Sequence, residues 1–514
     1  KRGKYIGMKK TVFIKNAAIM TVSSLILRFV GIIFKVWLAA GIGSEGVGLY
    51  QLVFSVYVLA STFATSGICT AVTRLAADEL ALGSRKGTVK ILKRSIELTL
   101  LIAFLSVALI YFGAPFIASR FLGDMRAVPA MKILSFSLPF MGVSSCLRGY
   151  FIARRKASPG SLTQIAEQGI RILLVVLLVK KYMPYGLAYC CGAVLAGDTV
   201  AEAAACTILA VVYFRDKRSL NGLSGRTRPP YAIVKQILHI SVPITAGRYL
   251  NTALRTAENV LVPKSLSKCP RSGENALSQF GMIKGMALPI LFFPSTLLNS
   301  LSTLLIPEMS EAAACGRHGL VKSAAENILK LTALMSYIFA AVFFVAGEDI
   351  GILIYNSRQV GYLLRALSPI VPLMYLDSVS DGILKGLDQQ TFTFRTAVCD
   401  SSLRIILILL ALPKYGLDGF IGIMYFSNLL TCVMNVGRLL KVSGAEFKIV
   451  GNIVLPLFSA LAVVLTFNSV TANLFALPIL VYIILLCAVC IPVYIMLLFL
   501  FGCISKDDIL NVIK

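Results

Sequence analysis

Long apolar segments recur from one end of the chain to the other, and no intervening polar stretch is long enough for a soluble domain. The segments are continuous and lack the strict alternation of a membrane β-strand. Because a bilayer admits only helices and closed barrels, such runs predict transmembrane helices of about 20 residues or more. About fourteen spans are predicted, near 14–40, 48–73, 95–118, 128–153, 159–179, 186–214, 231–262, 277–307, 323–346, 361–386, 390–412, 416–440, 447–467 and 474–502.

The composition agrees with this pattern. Hydrophobic residues make up 57% of the chain and charged residues 14%, whereas soluble domains contain about 25% charged residues. The fold class predicted is therefore an all-α polytopic membrane protein. The formal net charge of +26 would suggest nucleic acid in a soluble protein. Here we attribute it to Lys and Arg in cytoplasmic loops, and we expect no nucleic-acid partner.

Lys and Arg are concentrated in alternate loops, near 74–94, 148–156, 215–228 and 317–330, and are absent near 41–47. The positive-inside rule then places both termini in the cytoplasm. The basic N-terminus leads into an apolar stretch, as a secretory signal does. That stretch continues past Arg28 and Lys35 without a small-residue cleavage motif, so we interpret it as a retained first helix.

Short motifs recur in order at separations of 230 to 237 residues. The matching positions are Gly87 and Val89-Lys90 with Gly319 and Val321-Lys322, Leu134-Ser135 with Leu367-Ser368, Arg148-Gly149 with Lys385-Gly386, Glu167 and Arg171 with Asp400 and Arg404, and Tyr185-Gly186 with Tyr415-Gly416. Each repeat holds six spans, so both enter the membrane in the same sense. We predict two pseudo-symmetric lobes, residues 1–220 (spans 1 to 6) and 231–442 (spans 7 to 12), followed by a helix pair at 443–514. This parallel-repeat architecture is typical of alternating-access transporters.

Cationic side chains inside predicted spans are costly and are therefore candidates for function. Arg28 and Lys35 lie seven residues apart in the first span, and Arg248 and Arg255 have the same spacing in the seventh. An offset of 227 relates Arg255 to Arg28. We predict that these four residues bind an anionic substrate, since the planar donor fork of Arg matches phosphate. The alternative is that the side chains extend to the membrane interface.

Acidic side chains inside spans are candidates for binding a coupling cation. They are Asp198 and Glu202 in the sixth span, Glu258 in the seventh, and Asp377 and Asp381 in the tenth. Each has the alternative of pairing with a neighbouring Arg. The pairs Glu167–Arg171 and Asp400–Arg404 are both spaced i,i+4, so each can neutralise itself on one helix face, and we predict a packing role for them.

Enzyme signatures are absent from the sequence. Only His239 and His318 are present, and no G-x-S-x-G, H-E-x-x-H or Walker motif occurs. We expect no catalytic residues, no metal site and no bound cofactor. With no nucleotide site, transport would be driven by a Na⁺ or H⁺ gradient, the membrane potential or consumption of the substrate.

Three segments together resemble the stage V sporulation protein B family of the multidrug/oligosaccharidyl-lipid/polysaccharide exporter superfamily. They are Arg28-Phe29-Val30-Gly31 through Lys35, Glu45 through Gln51, and Leu147-Arg148-Gly149-Tyr150-Phe151 with Glu167 and Arg171. The resemblance covers essentially the whole chain. It implies a V-shaped flippase of the MurJ type that works by alternating access. Arg28 matches a cavity arginine of such relatives, Lys35 is displaced by one residue from a second, and their second-helix arginines are missing at Leu59–Phe63.

The resemblance also implies a substrate and a location. The substrate would be an undecaprenyl-pyrophosphate-linked saccharide, lipid II for spore cortex or cell wall, moved across the cytoplasmic membrane. Expected partners are this lipid-linked oligosaccharide, the bilayer and cell-wall synthesis enzymes. The alternatives are a flippase for teichuronic or capsular repeat units, a drug/cation antiporter of the same superfamily, and a non-transporting scaffold or a polyprenyl-sugar transferase.

Overall fold

The computed structural model describes residues 2–65, 67–82, 84–156, 158–218, 230–270, 276–474 and 478–503. All regular structure in these residues is helical, which confirms the predicted fold class. The α-helices are α1 (Arg2–Thr65), α2 (Ile68–Ala81), α3 (Arg85–Phe116), α4 (Ala127–Ser135), α5 (Ser137–Ala153), α6 (Ser158–Tyr182), α7 (Leu187–Arg218), α8 (Pro230–Leu266), α9 (Ala276–Gly281), α10 (Leu288–Phe292), α11 (Ser295–Ala314), α12 (His318–Tyr355), α13 (Arg358–Leu367), α14 (Val371–Gly386), α15 (Gln390–Ser443), α16 (Leu455–Leu474) and α17 (Ile479–Leu500).

Nine helical stretches of the described residues are long and apolar enough to cross a membrane. Two of them, Val22–Ala81 and Gln390–Ser443, have 60 and 54 residues, more than twice the ~20 residues that one crossing needs. Each contains a sharp turn, at Gly43 (φ 72°) and at Gly416 (φ 56°). Only glycine adopts positive φ without strain, so Gly43 divides α1 into two arms and Gly416 divides α15 into two arms.

The predicted repeat is visible in the backbone. Positive φ is uncommon outside glycine, yet left-handed residues recur at separations of 233, 233 and 230 residues. The pairs are Gly123 and Asn356, Arg155 and Asp388, and Gly186 and Gly416. These residues lie at helix ends and in the turns between spans, so the two halves of the sequence make the same turns at matching places.

The chain forms two compact units by its internal contacts. Unit 1 comprises Lys1–Phe34 and Gly41–Lys264, and unit 2 comprises Lys35–Ala40 and Ser265–Lys514. Helix α8 groups with unit 1, whereas the repeat predicts that it opens the second lobe. The lobe boundaries at 220, 231 and 443 stay a prediction.

Helix α8 is anchored in unit 1 by apolar and close backbone contacts. Ile233 and Ile237 pack on Ala71 and Leu75 of α2. Further along, α8 meets the break between α1 and α2, where Gly67 has φ 77°. A Cβ atom at Gly67 would lie 2.5 Å from the carbonyl oxygen of Ser241 in α8.

Gly67→Ala is expected to destabilise unit 1, because the new methyl group meets backbone atoms and the residue must keep a positive φ. The expected loss is about 1–3 kcal/mol, typical of overpacking combined with backbone strain. Thermal unfolding of the purified protein in detergent measures it. Gly169→Ala in α6 is the control, since a Cβ atom there meets nothing within 4 Å. Equal unfolding temperatures for the two variants would contradict the close approach.

Candidate functional site

The predicted cationic residues lie on two helices and are exposed. Arg28 and Lys35 are exposed on α1, and Arg248 and Arg255 are exposed on α8. Arg28, Arg248 and Arg255 belong to unit 1, whereas Lys35 belongs to unit 2. None of the four makes an ion pair within 4.0 Å among the described residues. Their guanidinium and ammonium groups are therefore available to an anionic ligand.

Polar contacts fix the part of α8 that carries Arg255. Thr256 donates a hydrogen bond to the carbonyl oxygen of Ser55 at 3.1 Å, and the Asn259 amide donates to the Ser55 hydroxyl at 2.9 Å. The hydroxyl groups of Thr62 and Thr252 lie 3.5 Å apart. Because these contacts connect α8 to the second arm of α1, they fix the register of Arg255 against α1.

A buried cluster of charges occupies the interior of unit 1. The guanidinium of Arg171 lies 2.7 Å from Glu167, 3.0 Å from Asp198 and 3.9 Å from Glu202, measured between nitrogen and carboxylate oxygen. All three acids are less than 10% exposed. With one guanidinium among three carboxylates, the cluster carries two negative charges when every acid is ionised. The structure thus brings Asp198 and Glu202, predicted as coupling candidates, to the Glu167–Arg171 pair.

Two tyrosines of α1 complete this cluster. Tyr50 and Tyr57 interact electrostatically with Asp198 and Arg171, and the Tyr57 hydroxyl accepts a hydrogen bond from Ser137 at 2.6 Å. Sequence reasoning missed both, because a tyrosine in an apolar helix gives no sign of what it faces. The second carboxylate oxygen of Glu202, Oε2, is buried and has no hydrogen-bond partner in the described part of the chain.

The corresponding pair in unit 2 is neutral. Arg404 contacts Asp400 at 2.8 Å, as its repeat equivalent Arg171 contacts Glu167. A further neighbour of Arg404 is the hydroxyl of Ser427, 2.8 Å away, and Asp377 interacts electrostatically with Asp400. Arg171 thus faces three carboxylates within 4.0 Å, whereas Asp400 shares Arg404 with a hydroxyl group.

The remaining coupling candidates lie outside the cluster around Arg171, and Asp377 interacts electrostatically with Asp381. Asp377 accepts a hydrogen bond from the Asn435 amide at 2.8 Å, and Asp381 pairs with Lys385 four residues later. Glu258 is buried on α8. Among the described residues, no group of three His, Cys, Asp or Glu side chains is arranged to hold a metal ion.

Comparison with known proteins gives the family. Residues 13–269, half of the chain, match the family described as polysaccharide biosynthesis protein. The chain belongs to this family. It is 26% identical over 447 residues to stage V sporulation protein B of Bacillus subtilis (strain 168), covering 86% of each chain. The resemblance inferred from the sequence motifs is therefore confirmed.

Two further comparisons concern flippases. Lipid II flippase MurJ of Bacillus subtilis (strain 168) is 21% identical to this family member over 434 residues, with 79% of each chain covered. A solved structure of lipid II flippase MurJ in an inward closed conformation has a TM-score of 0.72 at 15% identity. It covers 94% of this chain and 98% of that chain, which shows a shared fold. The apolar helices, together with these relatives, show that the protein is a multi-pass membrane protein.

Proposed function

We propose that the protein is a flippase that moves an undecaprenyl-pyrophosphate-linked saccharide across the cytoplasmic membrane, with lipid II as the substrate. The observation that carries the proposal is the set of exposed cations in unit 1: Arg28 on α1, and Arg248 and Arg255 on α8. Lys35 on α1 stays a predicted contributor. A charged side chain in a membrane helix is retained where it faces a polar ligand or cavity. Pyrophosphate supplies the complementary charge, and each guanidinium can bind it through two parallel hydrogen bonds.

The family supports this choice of substrate. Stage V sporulation protein B and lipid II flippase MurJ are relatives along most of the chain. The net step carries a sugar headgroup that is too polar to cross the bilayer unaided, while the polyprenyl tail stays in lipid. Both termini lie in the cytoplasm in this proposal, and the substrate enters from the cytoplasmic leaflet, where such precursors meet cell-wall synthesis enzymes.

We infer that the buried cluster of unit 1 couples flipping to protons. Arg171 already occupies the space among Glu167, Asp198 and Glu202, so a hydrated metal cation would compete with the guanidinium. A proton needs only one free oxygen, and Oε2 of Glu202 provides it. Asp377 with Asn435 in unit 2 is the candidate for a Na⁺ ion, because carboxylate and amide oxygens are hard ligands and the Asn435 amide oxygen is buried with no hydrogen-bond partner in the described residues.

Glu202→Gln is expected to remove most of the acceleration of flipping that a proton gradient gives, because the glutamine amide that replaces the carboxylate does not bind and release a proton near neutral pH. Asp377→Asn is expected to leave the proton dependence intact and to weaken any Na⁺ dependence. Initial flipping rates in vesicles with an imposed pH or Na⁺ gradient separate the two effects. A full proton response in Glu202→Gln would contradict the assignment.

A drug/cation antiporter is the main alternative within the superfamily. It would need acids facing its substrate, whereas the acids of unit 1 are buried around Arg171 and the predicted substrate-binding residues on α1 and α8 are cationic. A flippase for teichuronic or capsular repeat units uses the same pyrophosphate chemistry and differs only in the sugar.

Expression in a bacterium whose own lipid II flippase can be switched off tests the proposal in cells. Growth should be restored, and lipid II should become accessible to a cleaving enzyme added outside. Arg215→Ala, which removes an exposed arginine at the end of α7, should behave as the unmodified protein. Expression at normal levels with no externally accessible lipid II would contradict lipid II as the substrate.

A further inference from the structure

The start of α2 in unit 1 is approached by two arginine-bearing helices, α5 at Gly149 and α8 at Ser241. Cys69 is in the first turn of α2, within electrostatic range of both Arg148 of α5 and Arg248 of α8. Arg248 is one of the predicted substrate-binding residues. The sequence places Arg148 in a predicted basic loop and in the motif shared with the family, and it predicts no role in substrate binding for this residue.

Helix α5 reaches α2 at backbone distance, which places Arg148 beside Cys69. A Cβ atom on Gly149 would lie 2.7 Å from the carbonyl oxygen of Cys69 and 3.2 Å from Cβ of Val72. The Thr73 hydroxyl lies 3.2 Å from the carbonyl oxygen of Gly149 and hydrogen-bonds the carbonyl oxygen of Cys69 at 2.8 Å. Because Gly149 has no side chain, the preceding Arg148 is brought close to the first turn of α2.

Helix α8 approaches the same turn at Gly67. A Cβ atom at Gly67 would also lie 2.9 Å from the Thr245 hydroxyl of α8, and Arg248 follows Thr245 by three residues, about one turn further on the same face. The neighbouring Tyr249 packs edge-to-face on Phe63 of α1, with ring centroids 5.8 Å apart. Two glycines, Gly67 and Gly149, thus bring two arginine-bearing helices to one end of α2.

Neither arginine is neutralised within ion-pair distance in the described part of the chain. Arg248 is exposed and Arg148 is half-buried, and the recorded hydrogen bond of the Arg148 guanidinium is a long one, 3.4 Å to the carbonyl oxygen of Ser144. Glu202 interacts electrostatically with Arg148 but lies beyond 4.0 Å. The N-cap residue Gly67 offers no side chain to the first N–H groups of α2, so the helix dipole adds positive potential.

We propose that Arg148 and Arg248 form an anion subsite at the start of α2 that binds a phosphate group of the transported lipid. The subsite deepens the proposed function, on which the identity of its ligand rests. The helix α2 leads into the Lys/Arg-rich loop at 74–94, which the positive-inside rule assigns to the cytoplasm. The subsite is therefore placed to meet a phosphate that arrives from the cytoplasmic leaflet, and a free phosphate in solution has the same chemistry.

Cys69 is a native reporter of this potential because it is half-buried, whereas most other cysteines are buried. The full chain would carry Cys315→Ser, Cys399→Ser and Cys487→Ser, which removes the exposed or half-buried thiols elsewhere. The measurement is the rate at which Cys69 reacts with an anionic sulfonate-bearing thiosulfonate, divided by its rate with a cationic trimethylammonium-bearing one.

The rate ratio should favour the anionic reagent and should fall about tenfold when both arginines become glutamine, in line with electrostatic steering. Arg148→Gln and Arg248→Gln should each give part of this loss, and Arg215→Gln none. Glu202→Gln should raise the ratio, because it removes a negative charge near Arg148. A folding defect would not lower the rate ratio in the Arg→Gln variants and raise it in Glu202→Gln. A ratio that ignores Arg148 and Arg248, or a thiol that reacts with neither reagent, would overturn the subsite.

Protection experiments identify the source of the phosphate. Undecaprenyl pyrophosphate in detergent should slow labelling of Cys69 at concentrations at least about tenfold lower than inorganic pyrophosphate. Equal protection by both would mean a site for free phosphate rather than for lipid. Protection in a protein that fails to flip lipid II would keep the subsite and reject the proposed function. Lipid II flipping by a protein whose Cys69 shows neither protection nor a dependence on Arg148 and Arg248 would keep the proposed function and reject the subsite.

Discussion

Arg28→Ala and Arg255→Ala are each expected to lower the rate of lipid II flipping by about tenfold or more. A hydrogen bond to a charged group contributes about 1.5–3 kcal/mol, and loss of one arginine–phosphate contact removes that much binding free energy. Arg28→Lys should retain part of the rate, since lysine keeps the charge but loses the two-pronged donor geometry. Initial rates in vesicles with matched amounts of folded protein measure these effects.

The control for both variants is Arg215→Ala, which removes an exposed arginine near the end of α7 that is not among the predicted substrate-binding residues. Thermal unfolding of each variant should match the unmodified protein, because neither Arg28 nor Arg255 makes an ion pair among the described residues. If Arg28→Ala and Arg255→Ala flip lipid II at the normal rate, the cations of α1 and α8 do not bind the substrate.

Arg171→Ala is expected to destabilise the protein more than its repeat equivalent Arg404→Ala. Removing Arg171 leaves three carboxylates buried together, a loss of about 3–5 kcal/mol for an uncompensated buried charge. Removing Arg404 leaves Asp400, which still accepts a hydrogen bond from the Ser427 hydroxyl and has Asp377 as an electrostatic neighbour, and the expected loss is about 1–3 kcal/mol. Denaturation of the two purified variants, side by side in the same detergent, measures the difference.

A second substitution tests the cause of this difference. Adding Glu202→Gln to Arg171→Ala should restore part of the lost stability, because one of the repelling carboxylates is removed. Adding the same change to Arg404→Ala should restore nothing. Equal destabilisation by Arg171→Ala and Arg404→Ala, with no rescue, would contradict the excess negative charge of unit 1.

Apolar runs were sufficient to predict the helical fold, because burial in lipid requires about 20 apolar residues whatever the neighbouring helices are. The break between α1 and α2 fell inside the predicted span 48–73 and was missed. It arises where α8 passes Gly67 at backbone distance, which is a tertiary contact. Similarly, the predicted span 277–307 is interrupted between α10 and α11, near Pro294.

The candidate site was predicted as individual residues but not as an arrangement. The i,i+4 spacing of Glu167 and Arg171 predicted a pair, and the structure contains it at 2.7 Å. That Asp198 and Glu202 face the same guanidinium depends on how α6 packs against α7, which no local spacing reveals. Likewise, Arg148 gave no sign of approaching Cys69, because only the crossing of α5 and α2 at Gly149 brings them together.

The most direct test of the flippase assignment is translocation of fluorescent lipid II in sealed proteoliposomes that contain the purified protein. A membrane-impermeant quencher reports which leaflet holds the headgroup. The proposal predicts that the protein equilibrates the headgroup between leaflets, and that Arg28→Ala with Arg255→Ala reduces this to the rate of protein-free vesicles. Headgroups that stay in their original leaflet, with ion gradients imposed and the vesicles shown to be sealed, would contradict it.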